Sequence, residues 1–163
     1  MGYEGSWSGM RKHLEKEMLA DSLKGRIRYG CTRYGNSEIT IFEVYIDNIP
    51  KIRFSWDCLY KELGKQSYAN DDRSWSKMCS YIEENSVSSR DVYVEYEFCE
   101  ALEVYRNQDI KSSLQSNNPI VRMFAILDRR VGKRTLIKIK DEVNAQPDWL
   151  KEFYLLRLNA EIL

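Results

Sequence analysis

One histidine, His13, is all the imidazole the 163 residues contain, and the four cysteines, Cys31, Cys58, Cys79 and Cys99, stand far apart with no C-x-x-C pair. That excludes a thiolate and imidazole ligand set at zinc spacing and the dense framework of a disulfide-stapled secreted domain. The thiols are expected to be reduced, half-buried hydrophobes, and no metal or cofactor is called for. Three prolines and eight glycines exclude collagen-like and low-complexity classes. No apolar run approaches the roughly 18 residues that a membrane span needs. The opening stretch MGYEGSWSGMRKHLEKEM lacks the continuous apolar segment of a signal peptide, so the expected compartment is the cytoplasm. An excess of one charge is missing too: 25 Lys and Arg balance 25 Asp and Glu. Zero net charge argues against a protein whose main task is gripping duplex nucleic acid through many phosphates.

What is present belongs to a folded chain. Hydrophobic residues at 43% and charged residues at 31% suit one domain with a real interior. Trp7, Met10, Leu14 and Met18 mark one stripe of an amphipathic helix over 6–20, with Ser6 or Ser8 as its N-cap. Leu23 to Tyr34 and Glu38 to Ile46 are rich in Ile, Tyr, Thr and Val, and Gly35-Asn36 between them is turn chemistry. A second turn at Asp47-Asn48 leads to KIRFSW, where Ile52, Phe54 and Trp56 alternate as on a third strand. The reading is α+β: an N-terminal helix, about three antiparallel strands in a meander, then a helical C-terminal half. The loop-like GKQSYANDDR places a boundary between a sheet lobe, 1–66, and a helical lobe, 67–163, the two sharing one core.

In the second half Trp75, Met78, Tyr81 and Ile82 recur at helical spacing. A longer helix is expected from Arg90 to Arg106, with Ser88 and Asp91 as a capping-box variant. Val94, Phe98, Ala101, Leu102 and Tyr105 form its inward stripe, and Asp91, Glu95, Glu97, Glu100 and Glu103 make it an acidic surface. Asn118-Pro119 starts a further helix, with asparagine as N-cap and proline at the first helical position. Gly132 interrupts it, a helix follows over Lys133 to Val143, and Pro147-Asp148-Trp149 opens the last one with Leu150, Phe153, Tyr154 and Leu158 inward.

The segments LKGRIRYGCTRY and EALEVYRNQDIKSSLQSNNPIVRMFAILDRRVGKRTL, together with a tryptophan-bearing first helix, resemble a small family of uncharacterised bacterial proteins of about this length. The NPIVR…LDRRVGKR block is the most specific part. The resemblance implies a bacterial cytosolic origin and brings no activity or catalytic residue.

Two cationic groupings remain to be explained. Asp128, Arg129, Arg130, Lys133 and Arg134 form a turn that either binds an anion or serves the chain itself. The second alternative is favoured: the acidic helix would neutralise the cations, and Asp128 would bind donors of its own turn. Arg26, Arg28, Tyr29, Arg33 and Tyr34 form a strand surface on which bases could stack. Gly132-Lys133 would end a P-loop only if residue 127 were glycine, and it is Leu127. His13 has no nucleophile at local spacing and reads as a surface residue. By elimination the chain is expected to be a non-catalytic protein–protein interaction module, immunity- or antitoxin-like in form. The alternative is an RNA-binding protein using the strand and late-helix cations.

Overall fold

A computed structural model describes residues 6–33, 40–63 and 72–163. Ser6 opens helix α1 (Trp7–Lys12), its side chain accepting from the Gly9 N–H at 3.2 Å, and the helix loosens into a π-helical turn, His13–Met18. Three strands follow, β1 (Ile27–Arg33), β2 (Thr40–Ile46) and β3 (Ile49–Phe54), in an antiparallel meander of order β1-β2-β3. The β2–β3 turn has positive φ at Asp47 and Asn48, 50° and 66°. That pair of left-handed residues is the two-residue connection whose twist matches the strands, and Asp and Asn tolerate it best after glycine. Tyr34 and the Gly35-Asn36 turn lie outside the described residues, as do 64–71, which hold most of the loop read as a domain boundary.

The KIRFSW strand ends earlier than its alternation implies. Ile52 and Phe54 face inward, but Ser55 accepts from the Cys58 N–H at 3.1 Å and turns the chain into helix α2 (Trp56–Glu62), so Trp56 is helical. Helix α3 (Asp72–Glu84) carries the Trp75 to Ile82 pattern. The expected helix from Arg90 begins only at Glu95: α4 spans Glu95–Arg106. The reason is the pair of Arg90 and Glu97, both almost fully buried, whose guanidinium and carboxylate meet edge to edge. Arg90 also donates to the Asn85 and Val92 carbonyls, and Glu97 reaches back to the Val94 N–H at 2.9 Å. Those bonds hold 90–94 out of the helix, so Val94, and neither Ser88 nor Asp91, stands at the N-cap of α4.

Helices α5 (Ile110–Leu114), α6 (Pro119–Leu127), α7 (Lys133–Ile139) and α8 (Asp148–Ala160) complete the chain. Asn118 caps α6 by accepting from the Ile120 N–H at 2.9 Å. Of the residues in α6 only Arg122 escapes burial, because the helix is enclosed by α4, α5 and α8. The sheet closes the core from the other side. Tyr29 stacks on Phe124 with ring centroids 5.9 Å apart, and Phe98 of α4 stacks on Phe42 at 4.4 Å. Trp7 from α1 packs edge-on against Phe42 and Phe98. A smaller cluster, Leu59, Tyr60, Met78 and Val94, sits apart from this core and joins α2 and α3 to the start of α4. All four cysteines are free thiols of intermediate exposure.

Candidate functional site

The turn after α6 is built on a carboxylate. Asp128 is 1% exposed. Its Oδ1 accepts from the Arg130 N–H at 2.7 Å and from Arg130 Nε at 3.0 Å, while Oδ2 accepts from Arg130 Nη2 at 2.9 Å and from the Tyr105 hydroxyl. Burial, with the Asp128 carboxylate beside it, pushes the Tyr105 phenol far above its usual range, and the bonds to Asp128 raise Arg130. Neutralisation therefore comes from within the turn. Helix α4 contributes Tyr105 to it, a donor that no charge count would reveal.

A second cation completes the hub. Arg157 on α8 is 2% exposed and donates to the carbonyls of Ile126, Asp128 and Val131 at 2.7–2.8 Å. It satisfies carbonyls that the end of α6 leaves free. Its Nε lies 3.3 Å from Glu161 Oε1 without hydrogen-bond geometry, and burial lowers its pKa. Glu161 in turn accepts from Ser22 at 2.6 Å, and the chain just after the π-helical turn pairs with the same loop through Ala20 N to Leu127 O and Arg129 N to Met18 O, both 2.9 Å. The first helix, the last helix and the end of α6 thus meet at one place. Arg157 was legible in principle, since a charged residue interrupts the inward stripe of Leu150, Tyr154 and Leu158.

The remaining cations of the turn diverge. Arg129 is held by its backbone and its side chain is exposed, as are those of Lys133 and Arg134. The hub joins distant segments through buried polar bonds and carries a cationic fringe.

The strand surface does not assemble as a base-stacking platform. Alternation puts Tyr29 on the inner face, 2% exposed, where it supplies core volume and leaves no ring for a base. Arg26 is forked onto Asp47 at 2.9–3.0 Å. Arg28 lies over the Tyr45 ring at 3.8 Å, and Gly30 makes room for that ring: a Cβ there would come within 3.0 Å of it. Arg33 is exposed at the strand end, and Tyr34 lies outside the described residues.

What sequence reasoning missed is an aromatic corner where α2, α3 and α4 meet. The rings of Trp56 and Trp75 are 4.4 Å apart and those of Trp56 and Tyr96 are 6.0 Å apart. Trp75 is 50% and Tyr96 39% exposed. Glu95 accepts from the Trp56 indole N–H at 2.9 Å, its other oxygen is buried with no hydrogen-bond partner, and burial raises its pKa. Glu95 and Glu97, read as acidic surface, are thus half-buried and buried respectively, because the helix starts late and turns both toward partners. His13 rests in a local contact, its Nδ1 2.6 Å from Glu17 Oε2.

A family model described as the SF0329 protein family matches residues 6–158. The chain belongs to the SF0329 protein family. The matched span runs from the Ser6 cap to Leu158, so the sheet, the Asp128 hub, Arg157 and the aromatic corner of this SF0329 family chain all fall inside it. No curated protein and no solved structure matched the chain. Among the described residues no helix is long and apolar enough to cross a membrane.

Proposed function

We propose that this SF0329 family member is a non-catalytic protein–protein interaction module of the bacterial cytoplasm. The observation that carries the reading is the aromatic corner. Trp75 and Tyr96 leave large ring surface in water beside Trp56, rimmed by Glu95 and Glu100. Exposed tryptophan and tyrosine bordered by charge are the side chains that most often dominate binding energy when a partner covers them. Trp56 and Trp75 stand on α2 and α3, outside the main core, and Tyr96 on the exposed side of α4, so a partner can cover the rings without disturbing the main core. An immunity- or antitoxin-like role, blocking another protein by binding alone, is the concrete form of this reading. The RNA alternative loses support with Tyr29 buried and with Arg26 and Arg28 engaged.

The test is a Trp75→Ala variant, which truncates a half-exposed ring and leaves the fold intact. Wild type and variant are used as bait in the native cytoplasm with and without ribonuclease, and any captured protein is purified for calorimetry. The expected result is a ribonuclease-resistant partner whose affinity for the variant falls by about 2 kcal/mol. Ribonuclease-sensitive recovery, or equal affinity for both baits, would overturn the reading.

A further inference from the structure

A groove of ≈ 280 Å³ lies between α5 and α7, away from the aromatic corner. Its floor is aliphatic: Ile110 and Leu114 from α5, Val131 from the Asp128 turn and Ile139 from α7. Its lip is cationic, with Lys111, Arg130 and Lys138 against one carboxylate, Glu142. We propose that this groove binds a small aliphatic carboxylate, the chain on the floor and the carboxylate at the lip.

Three features select that chemistry. The volume is at the lower edge of the roughly 300–1,000 Å³ found for ligand pockets, so a fragment-sized molecule fits and a nucleotide does not. The lining contains no aromatic ring, so a base or other flat ring would find nothing to stack on, whereas an alkyl chain meets four aliphatic side chains. The lip supplies positive charge that the protein does not consume. Lys111 and Lys138 have no ion-pair partner among the described residues, and Arg130 has more N–H donors than the two that Asp128 takes. Its guanidinium is also fixed beforehand by those two bonds, so little side-chain freedom is lost when an anion arrives. Glu142 in the same lining tempers the charge, which favours a single carboxylate over a phosphate.

This inference does not depend on the proposed function. It gives the late cations a use beside that of the hub: Arg130 serves both, bound to Asp128 and lining the groove.

The experiment is an amide NMR titration of the full chain with octanoate, octanol, octylammonium and a capped Glu-Leu-Glu peptide. Octanoate should produce saturable shifts confined to residues 110–115 and 130–142. Octanol should bind about tenfold more weakly and octylammonium not at all, the difference of one charge-assisted hydrogen bond. Lys138→Ala and Lys111→Ala, both at exposed positions and expected to keep the wild-type melting temperature, should each weaken octanoate by about tenfold or less. The proposal fails if octanoate gives no saturable shift up to its solubility limit, if its shifts map elsewhere, or if octanol binds equally well. It fails too if the peptide occupies the groove more tightly than octanoate, which would make the groove a docking surface for protein.

Discussion

Helices α6 and α3 are both read easily from their apolar spacing, yet the fold treats them in opposite ways. Helix α6 is buried nearly all round, enclosed by three helices, and its last carbonyls are held by a buried arginine. Helix α3 buries Met78 in a small cluster and leaves Trp75 half in water. One chain therefore builds a rigid hub and a lightly held lobe. Among the described residues the lobe buries only a small cluster beside the main core, so it is expected to open at lower free energy than the hub and to be where surface can be lent to a partner.

The contrast can be tested by breaking each side in turn. The largest effect is expected at the hub: Arg157→Met leaves the Ile126 and Val131 carbonyls without a donor and takes one of two from Asp128, and Phe124→Ala opens a cavity among Tyr29, Phe98 and Tyr105, each costing about 3–5 kcal/mol in denaturant unfolding. A smaller loss there would show that the hub relaxes as readily as the lobe. Next, Arg130→Ala strips two bonds from the buried Asp128 and should cost about 2–3 kcal/mol, whereas Arg129→Ala, anchored only by its backbone, should stay within about 0.5 kcal/mol. The expectation that both arginines serve the chain is thereby divided between them. Equal melting temperatures for the two variants would contradict the geometry.

Met78→Ala strikes the lobe and should cost about 2 kcal/mol, the low end for a buried methionine, because a cluster this small can collapse around the gap. Hydrogen exchange sharpens the point. Amides of α2 and α3 should lose protection in this variant while those of α6 keep theirs. Simultaneous loss would mean that lobe and hub unfold as one unit.

The smallest effect concerns sign. Glu95 has its folded pKa raised by burial, so the folded state holds its proton more tightly than the unfolded chain does. Its contribution therefore favours folding at low pH and is lost as pH rises from the ordinary glutamate range through the raised value. Glu95→Gln keeps an acceptor for the Trp56 indole and removes that dependence. The variant should melt slightly above wild type at pH 7 and level with it at pH 3, and the reverse order would show that Glu95 has a cationic partner at neutral pH.

Much of the fold was legible. The Asn118-Pro119 start of α6, the inward stripe of α4 and the Asp47-Asn48 turn follow from local chemistry that tertiary context has no reason to override. Less of the site was. The strand surface failed at Tyr29 because alternation shows that a residue shares a face with Ile27 without saying which face is covered. The start of α4 was misplaced because a serine cap is a local signal and the Arg90–Glu97 pair is not. The aromatic corner brings Trp56, Trp75 and Tyr96 together from three helices, a meeting that no spacing within one helix can announce.

Periodicity, caps and turn residues determined which elements form and in what order, because those signals act over a few residues and are complete within the chain. Tertiary structure alone decided where the charges went. Whether an arginine is a surface cation or a buried staple depends on which carbonyls and carboxylates other segments bring within about 3 Å of it. Arg157 and Arg90 became staples, Arg129 stayed in water, and Arg130 was shared between Asp128 and a groove, all from the packing of elements distant in sequence.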